Sequence, residues 1–132
     1  MLAPLLRYLW AGGCSTVFSC QASRRPRDSI DWAHITFADG HSFDAGLQLL
    51  WQVYRGYDPI LKSRITSMGL VNPSVPCAWE HGMILHHEPW PAGGWLRARH
   101  VLRLPSDDVI TISRLISDKD NSSVAHLGAG AD

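Results

Sequence analysis

The chain lacks the features that mark several large classes of protein. No apolar run reaches the roughly 18 residues that a membrane-spanning helix needs. Basic and acidic residues number 12 each and cancel, so the chain has no overall field to hold a polyanion. It also lacks a G-x-S-x-G nucleophile motif, a Walker loop and an H-E-x-x-H zinc motif. We therefore expect no nucleic-acid partner, no membrane span, no metal and no other cofactor.

Cysteine is scarce as well. Cys14, Cys20 and Cys77 are odd in number and fit no zinc-ligand spacing. This pattern favours a reduced, cytoplasmic protein whose thiols act as small hydrophobic groups. Residues 1–27 contain several arginines and no acid, a composition that also fits a mitochondrial transit peptide or a secretory segment. A helix at 2–11 followed by a loose loop is the third interpretation of this stretch.

What the chain does contain is enough apolar sequence for one globular domain. It has 132 residues, 45% of them hydrophobic, and six tryptophans that suit a core or a ligand pocket. We divide it into an N-terminal helix, linker or targeting segment at 1–29, a folded domain at 30–118 and a flexible tail at 119–132. Residues 12–29 are expected to be weakly ordered, because glycine, serine and arginine offer little apolar area to bury.

The first elements of the domain are predicted to be a hairpin and a helix. Asp39-Gly40 is a common hairpin turn and would join a strand at 32–37 to a return arm at 41–43. A helix at 44–57 follows and ends before Pro59. Its apolar face shows the spacing i, i+3, i+4 and i+7. The residues of that face are Leu47, Leu50, Trp51 and Tyr54.

After Pro59 the apolar period changes to about two, which predicts strands. We place them near 60–71, 77–87, 95–104 and 109–117. Short turns between long strands favour an antiparallel meander. Both this sheet and the helix must bury an apolar side. The sequence therefore predicts the α+β class, with a curved antiparallel sheet wrapped around an amphipathic helix.

Two segments resemble the SnoaL-like, nuclear-transport-factor-like superfamily, in particular its fungal SnoaL-like proteins. They are WAHITFADGHSFDAGLQLLWQVYRGYDP near the start of the domain and VLRLPSDDVITISRLISD at its end. The resemblance covers roughly residues 31–118. It implies a cone-shaped α+β barrel around an apolar pocket. It further implies a cofactor-free cyclase, isomerase or dehydratase acting on a polyketide-like or terpenoid-like molecule. The alternative is a non-catalytic ligand-binding or dimerisation module of the same fold, and a homodimer is left open.

The candidate catalytic groups are histidines and one acid. His81 lies between Trp79 and Met83 on one face of a predicted strand, and in an apolar site a histidine can act as a general base. In cyclase-type relatives, an acid at the end of the last strand and a histidine on its neighbour face the ligand, which carries over to Asp118 and His100. A packed core histidine and a solvated strand end are the structural alternatives. The expected substrate-binding residues are Trp51, Tyr54, Trp79 and Met83.

Two other clusters are interpreted as structural. His86 and His87 are adjacent, so on a strand they point to opposite faces and cannot share one ion. His81 and His87 share a face but lie about 20 Å apart along an extended strand. A stripe of three arginines on the third strand is typical of a solvated outer face. Its members are Arg97, Arg99 and Arg103.

Overall fold

The computed structural model describes residues 2–24, 30–54, 59–70, 74–87 and 96–130, with backbone alone at 18, 20–24, 54 and 120–130. The described elements are helices and strands in mixed order. They are α1 (Leu2–Ala11), β1 (Thr16–Arg24), β2 (Asp31–Phe37), α2 (Gly40–Tyr54), α3 (Pro59–Thr66), β3 (Glu80–His87), β4 (Leu96–Pro105) and α4 (Ser106–Gly130). The predicted α+β class is therefore confirmed.

The strands form one open antiparallel sheet in the order β1-β2-β4-β3. Leu102 on β4 lies opposite Ile35 of β2 and His81 of β3. Directly opposite residues of an antiparallel pair share a face. Ile35, Leu102 and His81 therefore point to the same side of the sheet.

Helices cover that side of the sheet. From α2, Phe43, Leu50 and Val53 are buried, and α4 contributes an apolar face with the spacing i, i+3 and i+7. That face consists of Val109, Ile112 and Ile116. Helix α1 packs against α4 and places the fully buried Leu5 and Leu9 in the same core. The core thus lies between the sheet and three helices.

The structure contradicts two of the strand predictions, because both segments are helical. Residues 109–117 belong to α4 and residues 59–66 form α3. Both segments contain several β-branched residues, which are common in strands, but the helical start signals are present. Pro59 occupies the first position of α3, where proline is well tolerated. Asp107 and Asp108 lie in the first turn of α4, where carboxylates stabilise a helix N-terminus.

The predicted hairpin at Asp39-Gly40 is also wrong. Asp39 caps α2 instead, since its Oδ1 accepts a hydrogen bond from the Ser42 backbone N–H at 2.7 Å. Aspartate is preferred both in tight turns and at helix N-caps, so the dipeptide alone does not distinguish them. The helix consequently begins at Gly40 rather than near Asp44.

The N-terminal segment contains a strand where weak order was expected. β1 pairs with β2 from Thr16↔Phe37 to Arg24↔Asp31. The register shifts twice along this pair, and such bulges hide a strand from pattern analysis because they break the alternation. Residues 25–29 lie outside the described part of the chain. At the other end α4 continues to Gly130, so the backbone beyond Asp118 is helical.

Other predictions agree with the structure. The helix at 2–11 is confirmed, and the strands expected at 77–87 and 95–104 correspond to β3 and β4. The cone-shaped barrel stays a prediction, as does the division of the chain at residues 29 and 118. Within the described residues, none of the helices combines the length and the apolar character that crossing a bilayer would require.

Candidate functional site

The sheet brings two of the predicted catalytic residues into contact. Met83 lies opposite His100, and His81 lies opposite Leu102, so the two histidines are diagonal neighbours on one face. His81 Nε2 and His100 Nδ1 are 2.8 Å apart. At this distance one nitrogen donates a proton that the other accepts, and the two tautomers interchange these roles. The pair can therefore hold and pass a proton.

Phe43, at the start of α2, packs on both imidazoles. Its ring is stacked on His81 at 4.2 Å between centroids and on His100 at 5.5 Å. Phe43 is itself buried and meets Phe37 edge-on. The histidine pair thus rests on an aromatic cluster that fixes its orientation on the helix side.

The N-terminus of α2 closes over His100. A Cβ added at Gly40 would lie 3.2 Å from His100 Nε2, so glycine permits this close approach. Asp39 anchors this turn. The hydrogen bond from the Ser42 backbone N–H is the main cause that lowers the pKa of Asp39. The Ser42 hydroxyl and the charges of His41 and Arg97 lower this pKa further. Ser42 in turn accepts a hydrogen bond from the Ser15 backbone N–H at 3.1 Å. The hydrogen bonds of Ser42 therefore connect the start of α2 to the loop before β1.

The electrostatics of the pair favour an uncharged His81. Partial burial is the main cause that lowers the pKa of His81, and the nearby charge of His100 lowers it further, whereas Asp44 raises it. Burial disfavours the cationic form because it removes water from the charge. His81 is consequently neutral near pH 7 and able to accept a proton.

His81 also lines a cleft at the end of the sheet where β3 begins. The cleft has a volume of about 470 Å³, within the usual range for small-molecule sites. Its lining includes Glu80 and two tryptophans that are almost fully buried, Trp32 and Trp79. The remaining lining residues come from the segment before β3. They are Ser67, Gly69, Leu70, Val75, Cys77 and Ala78.

A buried hydrogen-bond network fixes one wall of this cleft. The indole N–H of Trp79 donates to Asp108 Oδ2 at 2.8 Å, and Arg64 Nη1 lies 2.6 Å from Asp108 Oδ1. The Trp79 backbone N–H also donates to the Arg64 carbonyl at 3.1 Å. Trp79 is only 1% exposed and Asp108 only 4%. This network ties α3, the entry to β3 and α4 together.

The structure separates Trp51 and Asp118 from the histidine pair, whereas Met83 lies next to the pair on the sheet. Trp51, 36% exposed, lines a different groove of about 530 Å³ with residues of α3 such as Ile65. Met83 shares the face of His100 but is 56% exposed. Asp118 lies on α4 and is exposed, so the premise that it ends a strand is wrong. The side chain of Tyr54 lies outside the described part of the chain.

Comparison with known proteins gives no relative: no protein-family model, no curated protein and no solved structure matches this chain. The site therefore has to be interpreted from its own chemistry. In the part of the chain that the structure describes, no three histidine, cysteine, aspartate or glutamate side chains are grouped as metal ligands would be.

Several residues that shape the site are absent from the sequence predictions. The predicted hairpin places Phe43 in a return arm and gives Asp39 no capping role. The signal for this role is the residue type, because aspartate is among the preferred N-cap residues. No sequence signal pairs Arg64 with Asp108, which are 44 residues apart. Such long-range polar pairs depend on the packing of whole elements.

Proposed function

We propose that the chain binds an apolar small molecule in the cleft beside β3 and transfers a proton on it with the His81–His100 pair. The observation that carries the proposal is the 2.8 Å contact between His81 Nε2 and His100 Nδ1, made by a histidine that also lines the cleft. The reaction class is that of a cofactor-free isomerase, cyclase or dehydratase. The resemblance to the SnoaL-like superfamily implies the same class.

His81 is the proposed base, because its pKa is lowered and its neutral form is the one that accepts protons. In the isomerase form of the reaction, His81 takes a proton from a carbon next to a substrate carbonyl. The electrons of the broken C–H bond move to the carbonyl oxygen, and the imidazolium returns the proton to another carbon. His100 positions the ring of His81 and exchanges a proton with it. Protons and electrons balance without an oxidant or a reductant.

The lining of the cleft supports the proposed substrate class. Leu70 and Val75 offer branched apolar surface at this cleft, while Ser67 and Glu80 offer polar contacts. Such a mixture suits a ring-containing ligand with one or two oxygen functions. A polyketide-like or terpenoid-like molecule has this character.

The second candidate function is a non-catalytic ligand-binding or dimerisation module. The exposed apolar side chains of β3 favour it, because Met83 and Leu85 are 56% and 62% exposed. In this account the histidine pair is structural, resting on Phe43 as part of the packing.

The compartment we propose is the cytoplasm. Cys14 and Cys77 are free thiols, as is usual where the environment is reducing. A mitochondrial or secretory role of residues 1–27 is the alternative. Removing these residues would take Leu5 and Leu9 out of the core, which favours the cytoplasmic assignment.

A generic proton-abstraction substrate tests the catalytic proposal before the natural ligand is known. 5-Nitrobenzisoxazole is flat and apolar, and loss of its carbon-bound proton breaks its N–O bond and yields a coloured phenolate. We expect turnover by the wild-type chain and a loss of about 100-fold or more in His81→Ala, since general-base catalysis typically contributes about 10²–10⁴-fold.

His87→Ala is the matched control. His87 lies on the same strand and the same face as His81 and is also exposed, but its cross-strand partner is Leu96. This variant should keep wild-type turnover. Equal rates in the wild type, His81→Ala and His87→Ala would reject the acid–base proposal and leave the binding module as the better account.

A further inference from the structure

We infer that the seam between α1 and α4 is a binding site for a small aromatic carboxylate. A cleft of about 450 Å³ lies there, and this volume is in the usual range for small-molecule sites. The described residues that line it come from both helices and are Pro4, Arg7, Tyr8, Ala11, Ile116 and Ser117. None of them lines the cleft beside β3, so this site is separate from the proposed proton transfer.

The sequence of α1 explains why the seam leaves room for a ligand. Pro4, Tyr8 and Ala11 are spaced i, i+4 and i+7, so they share one face of the helix. The neighbouring face carries Leu5 and Leu9, which are fully buried and hold α1 in the core. Proline and alanine are short beside tyrosine, and space therefore remains next to the Tyr8 ring. The cleft is thus built on two packed helices rather than on a loop.

Positive charge is concentrated at this cleft. Arg7 contributes a guanidinium to the lining, and arginine stays charged in proteins. Lys119 Nζ lies 5.9 Å from the centre of the Tyr8 ring, close enough for a cation–π contact. Within the described residues, neither cation forms an ion pair with a carboxylate. Two such cations beside one cleft favour an anionic ligand.

Asp118 does not cancel this charge, although it precedes Lys119 in the sequence. Successive residues of an α-helix point about 100° apart, so Asp118 points about 200° away from the direction of Ile116. Ile116 is buried and lines the cleft, whereas Asp118 is exposed and is not among the described lining residues. The described lining therefore holds a cation and no acid.

The remaining contacts identify an aromatic carboxylate as the ligand class. The paired N–H donors of an arginine fit the two oxygens of a carboxylate. Tyr8, Pro4 and Ile116 add an aromatic ring and aliphatic surface to the same cleft. An inorganic anion would leave this apolar surface unused, and a neutral aromatic molecule would leave the positive charges unpaired. A carboxylate on a flat ring uses both.

NMR titration of the full chain with 2-naphthoate tests the inference, and 2-naphthamide is the uncharged match in shape. We expect 2-naphthoate to shift the backbone amides at 4–11 and 116–117. The dissociation constant read from these amides should be at least about ten-fold lower for 2-naphthoate than for 2-naphthamide, since hydrogen bonds to charged groups contribute that much. Equal affinities of the two molecules, or 2-naphthoate shifts that spare both helices, would overturn the inference.

A matched pair of variants tests the role of the cation. Arg7→Gln should raise the dissociation constant of 2-naphthoate at these amides about ten-fold. Arg114→Gln is the control, because Arg114 is an exposed cation of α4 outside the described lining, and it should leave binding unchanged. His81→Ala should also leave it unchanged, which separates this site from the proton-transfer site. Equal weakening by Arg7→Gln and Arg114→Gln would show only general attraction to positive charge and would overturn the inference.

Discussion

At the scale of single residues, the site depends on the protonation state of the His81 imidazole. His81 has a lowered pKa because of partial burial first and the charge of His100 second, against the opposing charge of Asp44. A histidine whose pKa is lower in the folded than in the unfolded chain contributes stability above its ordinary pKa near 6.5. That contribution to the free energy of unfolding is lost as the pH falls through the pKa that His81 has in the folded chain. The fold is therefore expected to weaken on mild acidification.

NMR titration of the histidine rings checks the origin of this shift. We expect His81 to titrate below the ordinary range in the wild type. His100→Asn should raise the pKa of His81, because it removes a competing positive charge, and Asp44→Asn should lower it further. His87→Asn, outside the pair, should leave it unchanged. An unshifted His81 in the wild type would contradict the assigned environment.

At the scale of elements, the packing of α2 on the sheet depends on Gly46. A Cβ at this position would lie 2.8 Å from Phe37 Cε1 and 3.0 Å from Phe37 Cζ. The Phe37 ring is fully buried and cannot move away at low cost. A glycine in the middle of a helix is thus required by the close approach of helix and sheet.

Gly46→Ala should accordingly destabilise the chain although alanine is the better helix former. The gain in helix propensity is about 1 kcal/mol, and overpacking a filled core costs about 1–3 kcal/mol. We expect a net loss of about 1 kcal/mol in the free energy of unfolding, measured by urea denaturation. A more stable variant would show that α2 does not pack this closely on Phe37.

The helices and strands also show which parts of the fold the sequence can predict and which it cannot. The alternation of apolar residues located β3 and β4 and singled out His81 on one strand face, while the resemblance pointed to His100. The sequence predicts strands near 60–71 and 109–117, because isoleucine, valine and threonine are common in strands. Their helical state follows from start signals at Pro59 and Asp107 and from packing on the sheet. The sequence does not predict β1, because its bulges break the alternation.

At the scale of the whole molecule, Asp108 connects parts that are far apart in sequence. Its carboxylate binds Trp79 and Arg64, and Trp79 forms a wall of the cleft. The stability of the fold and the shape of the proposed site therefore depend on the same group. No local pattern in the sequence reveals this link.

Asp108→Ala should be among the most damaging single substitutions. It leaves a buried indole N–H and a guanidinium without this acceptor, and removing one partner of a buried pair costs about 3 kcal/mol or more. Asp107→Ala is the control, because Asp107 is exposed in the same first helical turn, and it should cost about 0.5 kcal/mol. Chemical denaturation measures both, and equal losses would contradict the role given to the buried network.

The most direct test of the central claim is the pH dependence of 5-nitrobenzisoxazole turnover in the full chain. If His81 is the base, kcat/KM should rise with pH and reach half its limit at the His81 pKa measured by NMR, below the ordinary value near 6.5. In His100→Asn the midpoint should move upward together with that pKa. A rate that stays constant while His81 titrates, or a midpoint that does not follow the pKa in His100→Asn, would contradict the account.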